Sequence, residues 1–152
     1  MKHKILTFIY SKKDNKFLTL RNNPHPNHGG DFWFVVTGGL EGAETHKEAA
    51  IREAKEETNL DLIETFNLNW SSIYEWGDEL CRELNFLGFV EDVKNIKLDQ
   101  EEVVEYKWLD LEEFIELIKW EDDKKILKQV LEKAIESRLH FQEDNIIDYR
   151  KK

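Results

Sequence analysis

Residues 38–60 read GGLEGAETHKEAAIREAKEETNL, a glycine-rich loop that runs into a helical pattern rich in acids. Thr45 is followed three residues later by Glu48, the capping box of a helix start, so the helix is predicted to begin at Thr45. Its last turn should fall near Thr58, with Asn59 ending it in the left-handed conformation. The chain therefore places an acidic helix directly after a glycine loop.

Three acids share one side of this predicted helix. Glu53, Glu56 and Glu57 fall within an arc of about 100°, since successive residues turn by about 100°. The residues predicted for the adjoining apolar side are Ala50, Ile51, Ala54 and Thr58, and those predicted to lie away from this apolar side are Glu48, Arg52 and Lys55. Like charges at these spacings oppose a helix by roughly 0.2–0.5 kcal/mol per pair. This repulsion favours an acidic face that binds Mg²⁺, which is coordinated by carboxylate, water and phosphate oxygens, over one that only contacts solvent.

This segment resembles the signature box of the Nudix hydrolases. The box reads Gly, five residues, Glu, seven residues, Arg-Glu, an apolar residue, any residue, Glu-Glu, any residue, Gly and an apolar residue. The matching positions are Gly38, Glu44, Arg52, Glu53, Ala54, Glu56, Glu57 and Leu60. The one departure is Asn59 in the glycine position, which needs a positive φ that asparagine tolerates.

The resemblance implies hydrolysis of a diphosphate, with Mg²⁺ or Mn²⁺ bridging carboxylates and phosphate oxygens and lowering the pKa of the attacking water. By position, Glu53, Glu56 and Glu57 would be catalytic metal ligands. Arg52 would pair with a neighbouring carboxylate and hold it in place, and Glu44 would anchor the loop or support the ligands from outside.

A further catalytic acid and metal ligand is expected beyond the box. Of Glu101, Glu102 and Glu105 we choose Glu102, because its distance to the segment 106–109 matches the acid-containing segment of relatives that cleave nucleoside triphosphates. A general base must lie within hydrogen-bond reach of the water, and the sequence leaves Glu53 and Glu102 both open for that role.

A second resemblance covers most of the chain. The stretches DFWFVVTGGLEGAET (31–45), YKWLD (106–110) and WEDDKKI (120–126) are similar to dihydroneopterin triphosphate pyrophosphatases. This resemblance implies that Thr37 contacts the substrate, with Gly38 and Gly39 in the same binding loop. Arg21 is the nearest candidate for a phosphate-binding cation, and Trp33 is the first choice among the aromatic residues for stacking on a purine or pterin ring.

These patterns predict a pyrophosphohydrolase that splits a nucleoside or pterin triphosphate into monophosphate and pyrophosphate. Hydrolysis of dinucleoside polyphosphates stays open, because Tyr74 and Trp76 lie near the distance past the box at which those relatives carry a tyrosine. A non-catalytic nucleotide-binding module is less favoured, since such proteins commonly lose box glutamates and all are kept here.

Length and composition limit the kinds of partner that the chain is expected to bind. A chain of 152 residues is predicted to form one domain (1–152), and its net charge of −10 argues against a nucleic-acid surface. The apolar runs are too short to span a bilayer, and a single cysteine, Cys81, fits a reducing cytoplasm. We expect a small-molecule polyphosphate as partner, and a monomer or homodimer.

Periodicity predicts an α/β fold with helices on both sides of a mixed sheet. The Nudix resemblance sharpens it to an α/β/α sandwich. Strands are predicted at 5–10, 17–20, 32–37, 82–90 and 102–108, and the stretches 62–66 and 71–76 form either two strands or one long bent strand. Later helices are predicted after Asp110 and over 126–135. The loop 22–31 should hold His25 and His28 in solvent, and the chain beyond Arg138 is expected to fray.

Overall fold

The computed structural model describes residues 1–24, 30–137, 141 and 143–151, so the predicted loop histidines His25 and His28 lie outside the described residues. Its strands are β1 Lys2–Ser11, β2 Lys16–Asn22, β3 Trp33–Phe34, β4 Val36–Gly39, β5 Glu64–Trp76, β6 Glu79–Val90, β7 Val103–Leu109 and β8 Asn145–Asp148. Its helices are α1 His46–Thr58, α2 Leu111–Leu117 and α3 Lys124–Ser137, and a 3-10 turn, Tyr149–Lys151, follows β8.

Strand β1 is the centre of the sheet. One edge pairs in parallel with β6 along its whole length. The other edge is shared, because residues 4–7 pair with β4 while Tyr10 and Ser11 pair with the start of β2, both antiparallel. Beyond β6 lie β5 and then β8, and β2 carries β3 and β7 on its two edges. In the described sheet β4 pairs only with β1, so its outer edge is free to face a site.

Helices cover both faces of this mixed sheet. Helix α1 lies on one face, where Ala49 and Ala50 pack with Ile5 and Phe86. Helices α2 and α3 lie on the other face in a larger core, whose fully buried side chains include Phe8, Phe17, Leu87, Phe114, Leu127 and Leu131. The predicted α/β/α sandwich is confirmed. No helix among the described residues has the length and apolar character needed to cross a membrane.

The predicted ends of helix α1 are confirmed. Thr45 is the N-cap and both bonds of its capping box with Glu48 form, while Asn59 ends the helix at φ 65°. The predicted apolar side is wrong at one position, because Ile51 is 40% exposed. The buried stripe instead centres near Glu57 and Ala50, and Ile51 lies about 100° away from that centre around the helix.

One prediction is resolved and another is corrected. Of the two alternatives for 62–76, the single long strand is confirmed as β5, which begins at Glu64 and has an irregularity between Asn67 and Ser71, where Asn69 adopts φ 53°. The chain does not simply fray after Arg138, since β8 pairs in parallel with β5. On helix α3, which was predicted over 126–135, Ile126 is 41% exposed whereas Leu127 is fully buried, so Ile126 lies at the rim of the buried stripe.

Candidate active site

Glu57 is the acid of helix α1 that is buried most deeply. It is 6% exposed, and its Oε2 has no hydrogen-bond partner among the described residues. Burial raises the pKa of Glu57 well above its ordinary value, and the charges of Glu53, Glu102 and Asp99 add to the effect, while the backbone N–H of Thr37 opposes it. A buried carboxylate without a counter-charge is costly, and such groups mark functional sites.

Glu53 lies directly against strand β4. Its carboxyl group occupies the space where a side chain on Gly38 would stand, since an added Cβ would come closer than 3.0 Å to three Glu53 atoms. Gly38 does not have a positive φ, so the need for glycine here is steric rather than conformational. Burial raises the pKa of Glu53, against the opposing charge of Arg52.

Arg52 lies among the acids and pairs with carboxylates, as the resemblance implied. Its Nε and Nη2 donate to Glu44, the shortest of these bonds being 2.8 Å. Its Nη1 donates to Glu53 at 2.8 Å and to Glu56 at 3.1 Å, and Nη2 also donates to the carbonyl of Gly39 at 2.9 Å. The guanidinium therefore ties the glycine loop to the helix, and Glu44 is held further by the backbone N–H of Glu41.

Glu102 reaches the acid cluster because a loop docks on the end of helix α1. The backbone N–H groups of Lys97 and Asp99 donate to the last carbonyls of the helix, those of Thr58 and Glu57, at 2.8 and 3.0 Å. This satisfies helix-terminal acceptors and brings the loop before β7 alongside Glu57. Asp99 was not singled out from the sequence, since only this docking places it near the site.

The carboxylates fit a hard divalent cation in chemistry, although they do not form a ready-made cage. Among the residues that the structure describes, no group of three His, Cys, Asp or Glu side chains is arranged to hold a metal ion. The reason is visible at Arg52, which draws Glu53 and Glu56 towards itself. A divalent cation that binds oxygen ligands would give the unpaired oxygen of Glu57 a partner. It would also reduce the repulsion among Glu57, Glu53 and Glu102.

A cleft of about 480 Å³ lies on the opposite face of the sheet from helix α1. Its floor consists of alternate residues of four strands, namely Lys4, Leu6, Thr37, Ser72, Tyr74, Glu83 and Asn85. Its walls carry Phe32, Phe34, Trp76, Lys119, Trp120, Glu121, Ile147 and Tyr149. Thr37 belongs to this floor and its backbone N–H also reaches Glu57, so the cleft and the acids meet at the free edge of β4.

Two residues predicted to bind substrate lie elsewhere. Trp33 is not among the residues that line the cleft, and its ring instead lies under Lys107 Nζ at 5.0 Å. Neighbouring residues of an extended chain alternate between faces, so Phe32 and Phe34 line the cleft in its place. The guanidinium of Arg21 makes two bonds of 2.9 Å to Asp31. Whether either residue contacts substrate stays a prediction.

Comparison with known proteins agrees with this arrangement. A model of the NUDIX domain matches residues 3–130. The dihydroneopterin triphosphate diphosphatase of Haemophilus influenzae is 31% identical over 141 residues, which are 84% of this chain and 85% of that protein. The RNA pyrophosphohydrolase of Pelagibacter ubique is 28% identical over 146 residues, with 81% of this chain and 89% of that protein covered. The solved Escherichia coli dihydroneopterin triphosphate pyrophosphohydrolase superposes with a TM-score of 0.71 at 26% identity, over 87% of this chain and 96% of that one.

Proposed function

The chain belongs to the NUDIX family and is a hydrolase of phosphorus anhydrides, and from that premise we propose that it splits a nucleoside or pterin triphosphate into monophosphate and pyrophosphate. The observation that carries the proposal is the junction at Thr37, which belongs both to the aromatic cleft and to the surroundings of Glu57. A ring bound in the cleft would direct its phosphates past the free edge of β4 to the acids. A small-molecule substrate also suits a chain with a net charge of −10.

We propose that Glu53, Glu56, Glu57 and Glu102 hold the divalent cation, Mg²⁺ or Mn²⁺. When bound, the ion supplies charge neutralisation at the phosphates and an activated water. The residues around these acids hold the carboxylates in position. Arg52 orients Glu53 and Glu56 and fixes the loop at Gly39, and the bare Gly38 leaves room for the Glu53 carboxylate.

A proton must leave the attacking water, and Glu53 and Glu102 remain the two candidates to accept it. Because burial raises its pKa, Glu53 is better matched to proton transfer near neutral pH than a solvated carboxylate is. Arg52 opposes this shift through its bond of 2.8 Å. Release of Glu53 from Arg52 when substrate enters would make the acid a stronger base.

The test compares Glu57→Gln with Asp61→Asn, an exposed acid just beyond the same helix. Products from GTP, ATP, dihydroneopterin triphosphate and diadenosine tetraphosphate are identified by chromatography with Mg²⁺ present. We expect pyrophosphate from a triphosphate, a loss of several orders of magnitude in Glu57→Gln, and normal turnover in Asp61→Asn. Unchanged turnover in Glu57→Gln would refute the proposed site. If no triphosphate released pyrophosphate, the proposed reaction would be refuted.

A second measurement does not depend on turnover. A ligand that binds only the folded protein raises its melting temperature. Mg²⁺ or Mn²⁺ should therefore raise the melting temperature of the wild type and of Asp61→Asn, but not that of Glu57→Gln. An equal rise in all three proteins would place the cation elsewhere.

Hydrolysis of a dinucleoside polyphosphate is the second candidate. It is favoured by Tyr74 and Trp76, which both line the cleft and could stack on a base. The same substrate panel separates the two candidates, because diadenosine tetraphosphate would then be cleaved in preference to the triphosphates. A non-catalytic sensor would release no product from any of them.

A further inference from the structure

Two polar residues interrupt the apolar strand β6 on the face that forms the cleft floor. Glu83 is 9% exposed and Asn85 is 4% exposed, and both line the cleft. They are two positions apart, so both side chains lie on the same face of the strand, with Cα atoms about 6.6 Å apart. Their neighbours on this face, Leu87 and Phe89, are buried apolar residues of the core.

Neither side chain has its hydrogen-bonding capacity filled. In the part of the chain that the structure describes, no hydrogen bond joins the Asn85 carboxamide to another residue. The Glu83 carboxylate accepts one long bond, 3.3 Å from the hydroxyl of Tyr74. Buried polar groups are almost always hydrogen-bonded, so acceptors and donors left open at a cleft indicate a ligand that supplies the missing partners.

Burial raises the pKa of Glu83, and two neighbours, Lys4 and Tyr74, act in the opposite direction by favouring the ionised carboxylate. Lys4 lies opposite Glu83 in the register of β1 and β6, and its positive charge acts against the burial that raises the pKa of Glu83. Ser72 lies opposite Glu83 on the other side, in β5. An acceptor group with two oxygens therefore stands at the floor of a cleft whose walls are aromatic.

We propose that Glu83 and Asn85 determine which ring the enzyme accepts, by binding the edge of a 2-amino-4-oxopyrimidine, the ring that guanine and pterin share. That edge presents a ring N–H and an amino group side by side, which match the two oxygens of a carboxylate. It continues with a carbonyl, to which the Asn85 amide donates. The inference rests on the proposed function, because the same bound substrate must present its phosphates to the acids.

The pattern also says which rings are rejected. Hypoxanthine keeps the ring N–H and the carbonyl but lacks the 2-amino group, so one Glu83 oxygen receives no hydrogen bond from the ring. Adenine presents a bare ring nitrogen to the carboxylate, so that contact fails, although the oxygen of the Asn85 carboxamide can accept from the adenine amino group. A site that leaves its buried polar groups unpaired discriminates strongly against the wrong ligand.

Kinetics with GTP, ITP and ATP provide the test, since these three triphosphates differ only in the ring edge. The wild type should prefer GTP over ITP in kcat/KM by about 10-fold or more, the effect of one hydrogen bond to a charged group, and should prefer ITP over ATP. Glu83→Gln should lower the value for GTP at least about 10-fold and bring the GTP-to-ITP ratio close to one. Glu79→Gln, an exposed acid on the same strand, is the matched control and should keep the wild-type ratios.

Asn85→Ala separates the two roles. It removes the donor to the carbonyl that GTP and ITP share, so both should lose activity about equally and their ratio should stay. A GTP-to-ITP ratio that is unchanged in Glu83→Gln, or that falls equally in Glu79→Gln, would overturn the inference. Circular dichroism and melting temperature verify that each variant is folded.

Binding without catalysis makes a failure of this inference distinguishable from a failure of the proposed function. Trp76 and Trp120 line the cleft, so tryptophan fluorescence can report nucleoside monophosphates entering it without added metal. GMP should bind more tightly than IMP and AMP, and Glu83→Gln should abolish the difference. Equal binding of the three refutes the role of Glu83 even if triphosphates are hydrolysed, whereas absent turnover with selective GMP binding refutes only the proposed reaction.

Discussion

Replacing Gly38 by alanine should disable the site while leaving the fold intact. The new Cβ would stand 2.5 Å from Glu53 Cγ, where ordinary contacts begin at 3.4 Å, so the carboxyl group must move by about 1 Å. A misplacement of that size can lower turnover about 100-fold. Gly38 has no positive φ, so alanine adds no backbone strain.

The cost in stability should be small. Glu53 must adopt a new rotamer and loses its bond with Arg52, but Arg52 keeps Glu44, and alanine lowers the entropy of the unfolded chain. A net loss of about 0–2 kcal/mol corresponds to a drop of up to about 8 °C in melting temperature for a chain of this size. Pyrophosphate release and thermal unfolding, measured on the same preparation, give both quantities.

Gly88→Ala is the matched control. Its Cβ would meet the apolar side chain of Leu62 at 2.8 Å, so it should lower the melting temperature while leaving the kcat/KM of the folded protein unchanged. In a Glu53→Ala background, Gly38→Ala should cause no further loss of activity, because the residue through which it acts is gone. Additive losses in that double mutant, or full activity of Gly38→Ala alone, would refute the steric argument.

Three other variants test separate features. Arg52→Ala should lower the free energy of unfolding by about 2 kcal/mol, because it leaves several carboxylates unpaired, and Arg52→Lys should recover only part of this in denaturant titrations, since lysine lacks the planar fork. The raised pKa of Glu83 means that the native state binds its proton more tightly than the unfolded chain, so stability falls as pH rises through that pKa. Between about pH 5 and about pH 8, the melting temperature of Glu83→Gln should therefore rise relative to that of the wild type. Lys4 and Tyr74 are the charged and titratable groups that face Glu83. A difference in melting temperature that stays constant with pH would contradict this. Asn59→Ala should cost about 1 kcal/mol in the same titrations because φ is 65° there, whereas Asn59→Gly should be close to neutral.

The sequence predicted those features that depend on neighbouring residues. The ends of helix α1 follow from Thr45, Glu48 and Asn59, all within the helix or next to it, and their bonds form as expected. Strand β6 was likewise predicted over 82–90 from its mostly apolar faces, although it begins earlier, at Glu79. Local signals of this kind survive because few tertiary contacts compete with them.

Features set by packing were not predictable. Periodicity gives the alternation of residues 32–34 but not which of them faces the cleft, and that choice separated Phe32 and Phe34 from Trp33. Helical spacing places Arg52 one turn before Glu56, but it does not show that the same guanidinium also reaches Glu44 and the carbonyl of Gly39 in the glycine loop. Strand β8 is short, and its partner β5 lies about 70 residues earlier, so nothing nearby in the sequence indicated it.

Strand β8 also has a practical consequence for experiments on this protein. Four of its residues pair with β5. Ile147 within the strand and Tyr149 directly after it line a wall of the cleft. An affinity tag or fluorescent fusion attached after this strand would therefore lie beside the cleft that is proposed to bind the substrate. A fusion ahead of β1 would begin close to Lys4, which lines the same cleft, so removal of the tag before kinetic work is the safer choice.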